Sequence, residues 1–398
     1  MKFPEYVGFT LDRLENNGYT AYLVGGCVRD YIMGIAPNDF DITANALPEQ
    51  IEECFSDIKT LDVGKKHGTI TLVFGKDCVE VTTYRIDGEY KDSRHPVSVT
   101  FTDRIEYDLS RRDFTMNAIA YSPTRGFVDP FDGRGDIEKE RIVCVGNPDK
   151  RFEEDALRIL RALRFSSRLG FEIENETKKA LINKRHLLLN IAVERINSEF
   201  TGILDGMSSS GVVSEYIDVF RTIIPSLTDV DYTGIGRAGA YCLATKLCLF
   251  FSGYDNTKEL ENLLKTLKFD NATVKTVTGV VSMFRHYINS FSDGDIKRAV
   301  SKIGVDNTRI LYQMLYSHTG NKAHIHALQS LAEFVGEGAC MSVSALDVRG
   351  NEIIEKYAVS PSKVGKILSH LLDAVIDGII PNEKAALLEK AKNYFSVD

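Results

Sequence analysis

The apolar residues of this 398-residue chain change their period near residue 150. Before that point the runs are short and alternating: Ala21–Val24, Thr69–Phe74 and Cys78–Arg85, the last two flanking the turn Gly75-Lys76-Asp77. Alternation sends successive side chains to opposite faces of an extended chain, the mark of a half-buried strand or hairpin. Past Arg151, Leu, Ile and Val recur three and four residues apart, the spacing of one helix face. A chain divided this way is α+β: a mixed-sheet head with helices, then an elongated all-α remainder. Within the head, the pattern predicts an amphipathic helix over 1–20 ending at Asn17-Gly18. It also predicts a helix over Val28–Met33 closed by Gly34, a strand over Asp39–Thr43 and a polar, mobile loop over Arg85–Val97. A boundary near 145 and breaks near 204–211 and 271 suggest four parts: a head (1–145), a neck (146–205), a body (206–270) with a further break at 229–236, and a tail (271–398).

Charge and cysteine usage narrow the class. The net charge of −8 excludes a uniformly basic nucleic-acid binder, but residues 1–150 hold 18 basic and 26 acidic side chains, so the acidity sits in the head. An RNA-contacting face must then be a local basic stripe. Cys27, Cys54, Cys78, Cys144, Cys242, Cys248 and Cys340 form no CxxC pair, as expected of reduced thiols in a cytoplasmic protein. The opening Met-Lys-Phe-Pro-Glu-Tyr is unlike a signal peptide. The most apolar stretch, Ala238–Phe251, is interrupted by Lys246 and too short for a bilayer, so no membrane partner is expected.

Two constellations carry chemistry. Gly25-Gly26 lies between a strand and a helix, where the backbone can approach a ligand closely and helix N–H groups face an anion. Arg29, just beyond, can add charge-assisted hydrogen bonds to a triphosphate. Asp39 and Asp41, two apart in an extended segment, share a face, and two crowded carboxylates repel unless a cation lies between them. Hard Mg²⁺ prefers such oxygen ligands and commonly bridges carboxylates to substrate phosphates; two such ions can serve an in-line displacement. Glu80, in the alternating run Val79-Glu80-Val81, reads either as a third carboxylate of this site or as an ordinary outward glutamate.

The second constellation is Glu154-Asp155-Ala156-Leu157-Arg158-Ile159-Leu160-Arg161. Asp155 and Arg158 are three apart, neighbours on one face of a continuous helix. A carboxylate only accepts hydrogen bonds and a guanidinium only donates. Cytosine and adenine present an amino donor beside a ring-nitrogen acceptor; uracil and guanine present the reverse order. An Asp–Arg edge therefore suits C and A. Arg158, Arg161, Arg164 and Arg168 fall within an arc of about 120°, opposite Ile159, Leu160 and Leu163, and could follow phosphates.

These residues resemble those of the class II CCA-adding tRNA nucleotidyltransferases of the polymerase β-like superfamily. The matching stretches are Tyr22–Asp30, Asp39–Leu47, Asp62–Thr71, Glu80–Phe101, Arg111–Ala120, Asp129–Gly133, Arg151–Phe171 and Val193–Phe200. They cover about the first half of the chain; past residue 210 the likeness is mainly that of a helical extension. The resemblance implies addition of C, C and A from CTP and ATP to a tRNA 3′ end. Asp39 and Asp41 would bind two Mg²⁺, and Gly26 and Arg29 the triphosphate. Arg112, Asp155, Arg158, Arg161 and Arg164 would surround the nucleotide, and the tail would bind tRNA. It further implies a flexible loop over Asp87–Pro96, a hinge at Asp129–Gly133 and a structural motif at Glu194-Arg195. The competing readings are a poly(A) polymerase of the same superfamily, a partial CC- or A-adding enzyme, and a non-catalytic helical RNA-binding protein. Val63–Thr69 resembles the CCA-adding version, and Asp87–Pro96 is complete, which weighs against the first and the CC-adding reading.

Overall fold

The computed structural model describes residues 1–62, 64–88 and 98–394. Helix α1 (Glu5–Asn16) buries Val7, Leu11 and Leu14 and ends at Asn17-Gly18, where Gly18 takes φ +87°. There follow β1 (Ala21–Val24), α2 (Gly26–Ile32), β2 (Asp41–Ala44), α3 (Pro48–Cys54), β3 (Lys59–Leu61), β4 (Thr69–Phe74), β5 (Asp77–Thr83), β6 (Arg85–Asp87) and β7 (Val99–Phe101). Then come α4 (Ile105–Ser110), β8 (Ala120–Ser122), β9 (Gly126–Val128), α5 (Gly133–Glu138), β10 (Arg141–Ile142), α6 (Pro148–Glu154), α7 (Leu157–Leu169), β11 (Glu172–Ile173), α8 (Asn175–Lys184) and α9 (Val193–Asp205). Seven strands form one sheet in the order β3-β4-β5-β2-β1-β8-β9. Only the central β2–β5 pair in it is parallel, and its register places Asp41 beside Glu80. Tyr22, Val24, Tyr84, Leu109, Ala118, Ala120 and Val145 pack as one buried cluster against this sheet.

The chain forms two units: Met1–Ser208 with Glu215–Pro225, and Ser209–Ser214 with Ser226 onward. Beyond α10 (Ser209–Glu215) and α11 (Ile217–Ile223), the second unit's helices are α12 (Tyr232–Ala238), α13 (Leu243–Phe250), α14 (Thr257–Thr266), α15 (Asn271–Tyr287), α16 (Asp293–Ile303), α17 (Val305–Thr319), α18 (Ala323–Gly336), α19 (Gly350–Tyr357), α20 (Pro361–Ile376) and α21 (Lys384–Lys392). Several start on side-chain caps: Asn256 accepts from the Lys258 and Glu259 amides, Asp270 from Thr273, and Ser292 forms a reciprocal box with Asp295. Leu346, Ile353, Leu371 and Leu387 centre a buried cluster near the C-terminus. Among the described residues no helix is long and apolar enough to cross a membrane.

Four local expectations change. The strand expected from Asp39 begins at Asp41, leaving Asp39 and Phe40 before it. The remainder past 151 is not purely helical, because Glu172–Ile173 pairs in parallel with Arg141–Ile142. Two residues carry no readable alternation, so this strand has no sequence signal. The polar stretch from Arg85 starts as a strand, β6, paired antiparallel with β7; residues 89–97 lie outside the described residues, as does Val63. The break over 229–236 contains the start of α12. Asp231 caps it by accepting from the Gly234 amide, and Gly234 lets the helix approach Leu249, where a Cβ would lie 2.7 Å from Leu249 Cδ2.

Candidate active site

Strand β1 leads into the cleft through Gly25, at φ +74° and ψ −134°, a backbone conformation open to glycine. A Cβ there would sit 3.1 Å from Arg112 Nη1. Helix α2 starts at once, and Arg29 on it is 7% exposed. Its Nε and Nη2 donate to Asp30 Oδ1 at 2.9 and 2.6 Å, and its Nη1 to Asn117 Oδ1 at 2.8 Å. The guanidinium carbon lies 5.2 Å from the Phe165 ring centroid. Arg29 is thus a braced cation, not a free one.

Asp39 and Asp41 are exposed, while Phe40 between them is buried. Both carboxylates line a cleft of 650 Å³ with Gly25, Gly26, Arg29, Arg111, Arg112, Asp113, Asn117, Asp155, Arg158, Arg161, Arg164, Phe165 and Arg168. The Asp41 carboxyl is raised above its usual value by desolvation among the cleft residues, with Arg112 pulling the other way and Asp39 adding to the rise. Glu80 is raised by burial and by Asp41, its neighbour in register, yet it does not line the cleft. Among the described residues no group of three His, Cys, Asp or Glu side chains is placed to hold a metal.

The arginine helix departs from the expected continuous one. Asp155 is the C-terminal residue capping α6, at φ −140° and ψ 101°, and α7 begins at Leu157. The cause is local: Asp155 Oδ1 accepts from the Leu157 amide at 3.1 Å, a side-chain bond that competes with helix continuation. Asp155 Oδ2 accepts from Nη2 of Arg195, on α9, at 3.4 Å. Arg158 is 8% exposed. Its Nη1 donates to Glu154 Oε2 at 2.9 Å and to the Arg151 carbonyl at 3.2 Å, and its Nη2 to the Arg111 carbonyl at 3.0 Å. Ile159, Leu160 and Leu163 are fully buried on the opposite side.

Arg161 and Arg164 have partners that no local pattern reveals. Arg161 Nε and Nη2 donate to Asp113 Oδ2 at 2.9 and 2.7 Å, and Arg164 Nε to Glu199 Oε2 at 2.6 Å. Asp113, next to Arg112 in sequence, joins α7 through these bonds. Burial alone would raise its carboxyl, but Arg161, with Asn117, holds it down at about 2. Asn117 Nδ2 donates to Asp113 Oδ1 at 3.1 Å, so Asn117 bridges Arg29 and Asp113. Arg112 Nη2 donates to Asp108 Oδ2 at 3.3 Å, while its Nε is buried with no hydrogen-bond partner among the described residues. Asp108, Asn117, Glu154, Phe165 and Glu199 went unassigned from sequence. Asn117 and Glu199 lie within or beside stretches that carry the resemblance; Asp108 has no such signal. The Asp129–Gly133 turn is held by Asp129, whose carboxylate accepts from the Gly133 and Arg134 amides at 2.7 and 2.9 Å.

Comparison with known proteins follows this geometry. Residues 21–143 match the family described as poly A polymerase head domain, 170–219 a probable RNA-binding site of polymerase A, and 245–391 a putative tRNA nucleotidyltransferase domain 2. A CCA-adding enzyme of Lactobacillus delbrueckii subsp. bulgaricus is 32% identical over 395 residues, 95% of each chain. One from Geobacillus kaustophilus is 49% identical over 204 residues, 51% of this chain and 50% of that protein. The crystal structure of the Bacillus stearothermophilus CCA-adding enzyme in complex with CTP superposes with a TM-score of 0.80 at 29% identity, over 100% of this chain and 98% of that one. A Thermotoga maritima CCA-adding enzyme complexed with tRNA shares the fold, with a TM-score of 0.74 at 20% identity over 99% and 96% of the two chains. The likeness therefore extends through the helical half, beyond the stretches legible by motif.

Proposed function

The chain belongs to the CCA-adding enzymes, and on that premise we propose how its residues divide the work of adding C, C and A to a tRNA 3′ end from CTP and ATP, with release of pyrophosphate. The observation that carries this division is the cleft itself, where Asp39 and Asp41 face Arg29, Arg112, Arg158, Arg161, Arg164 and Arg168. A triphosphate needs both: cations along its length and an acidic pair at the bond that breaks.

The family uses divalent metal, and Mg²⁺ is our reading of which. The donors fit a hard cation: Asp39 and Asp41 offer only carboxylate oxygen, and Asp41 is destabilised as an anion by desolvation and by Asp39. When bound, such ions lower the pKa of the attacking hydroxyl and neutralise the leaving pyrophosphate. Asp39 and Asp41 would hold the ion, and Glu80, beside Asp41 in the β2–β5 register and outside the cleft lining, would act on it through Asp41.

The Gly25-Gly26 turn gives the triphosphate a backbone without side chains to approach. Arg29 and Arg112 pair with its phosphates. Arg158 has three of its N–H groups committed to protein, leaving about two of the five donors of a guanidinium for a base. Asp155, at the helix break, supplies the acceptor. C and A satisfy both; U and G leave two groups unpaired at roughly 1–3 kcal/mol each, a discrimination on the order of a hundredfold or more. Arg161 and Arg164, already paired with Asp113 and Glu199, shape the wall beside the base and add positive potential. Residues 1–145 serve as catalytic head, 146–205 as the base-reading neck, 206–270 as body and 271–398 as the tRNA-binding tail.

Asp41→Asn tests the site. With a tRNA ending in CC and ATP, single-turnover addition of A falls by at least about a thousandfold, while tRNA binding by gel shift stays within about twofold of the parent. Retention of addition within tenfold of the parent rejects the assignment.

A further inference from the structure

The geometry points to Asp108 as a positioning residue for the nucleotide, a role that rests on reading Arg112 and Arg158 as nucleotide contacts. Asp108 stands near the end of α4 and its side chain is 0% exposed. A carboxylate buried that deeply stays charged only if its lone pairs are met. They are met from three directions. Oδ1 accepts from Arg111 Nε at 3.0 Å and Nη2 at 2.8 Å, and from the backbone amide of Arg85, the first residue of β6, at 3.3 Å. Oδ2 accepts from Arg112 Nη2 at 3.3 Å.

One anion therefore sits between two adjacent guanidiniums that would otherwise repel. Its bond to Arg112 leaves the rest of that guanidinium at the cleft. Nη1 lies against the Gly25 turn, where a Cβ would be 3.1 Å away, and Nε is buried without a partner among the described residues. Arg112 lines the cleft and Asp108 takes only its Nη2, so Nη1 is left for an anionic ligand there. Asp108 also acts on the second contact. By holding the Arg111 side chain it fixes the peptide whose carbonyl accepts from Arg158 Nη2 at 3.0 Å. A single buried carboxylate outside the cleft lining thus orients a cation for the phosphates and a cation for the base.

The test is a double-mutant cycle on the full-length protein, read as kcat and KM for CTP and ATP with tRNA ending at the discriminator base or at CC. Asp108→Asn keeps the shape but loses the charge shared by the two arginines. It is expected to lower kcat/KM for both nucleotides by about tenfold or more, the worth of one charge-assisted hydrogen bond, without changing KM for tRNA. In an Arg112→Ala background the same substitution should cost at least about threefold less, because the part exerted through Arg112 is gone and only the part exerted through Arg111 and Arg158 remains. If Asp108→Asn fails to fold, Asp108→Glu, which keeps the charge and displaces it by one methylene, takes its place in the cycle with the same expected pattern. The inference is overturned if the Asp108 variant is within twofold of the parent, or if it costs the same factor with and without Arg112. An Arg112→Ala variant with parental kcat/KM overturns the reading of Arg112 itself, and this inference with it.

Discussion

Replacing Asp113 by Asn removes the tie between the 112–118 segment and the arginine helix, and its cost can be worked out. The Asp113 carboxyl is only 8% exposed and titrates at about 2 against a usual value of 3.8. Folding depresses it, so the folded state binds fewer protons than the unfolded chain. The resulting stability is fully present above about pH 4 and is lost as pH falls through about 2. The shift corresponds to about 2 kcal/mol at neutral pH and about half that at pH 3. Asn keeps an oxygen for the Phe114 amide and Asn117 Nδ2, which donate to Oδ1, so the loss falls on the Arg161 bonds to Oδ2. Urea unfolding of the parent and of Asp113→Asn, followed by circular dichroism at pH 7 and pH 3, measures the gap at each pH. Asp113→Asn should be less stable by about 2 kcal/mol at pH 7, with the gap narrowing on acidification. Equal midpoints at pH 7, or a gap that does not narrow, would refute the ion-pair account.

Three further outcomes are expected. Gly25→Ala forces a side chain onto φ +74° and against Arg112 Nη1, which should cost about 1–3 kcal/mol of stability and raise KM for both nucleotides; thermal unfolding and steady-state kinetics check it. Asp155→Asn exchanges an acceptor-only group for one that also donates, so kcat/KM for CTP should fall by about ten- to a hundredfold while UTP incorporation rises, read on a product ladder. His324 is fully buried between Tyr312 and Phe291, and burial lowers its pKa below 6.5, with the Ile288 carbonyl opposing. It is thus kept neutral in the fold and disfavours folding as pH drops below 6.5; His324→Leu should flatten the acid side of the Tm–pH curve, and an unchanged slope would count against it.

The features legible in the sequence were those whose cause is local. A Gly-Gly turn between a strand and a helix, an Asp-x-Asp pair, and arginines at helical spacing each follow from a few consecutive residues. The mixed head and helical remainder followed from the period of the apolar residues. What escaped was of two kinds. Asp155 was placed on a continuous helix because spacing cannot show that its own carboxylate caps the next one. Three arginine partners are illegible because they come from elsewhere in the chain: Asp113 lies 48 residues from Arg161, Glu199 35 from Arg164, and Asn117 88 from Arg29. A free arginine face and an arginine face pinned by remote carboxylates have the same periodicity. Its own strand leaves Glu80 open between two readings, and the parallel β2–β5 register that sets it beside Asp41 is encoded by no property of that strand.

The most direct test uses the purified chain with Mg²⁺ and three tRNA substrates, one ending at the discriminator base, one at C and one at CC. Each is offered CTP alone, ATP alone and both, and products are resolved at single-nucleotide resolution. The account predicts completion to CCA on all three with both nucleotides, CTP alone stopping at CC, and no addition past A. Addition of A only to the CC-ended tRNA, or long A tails, would contradict it.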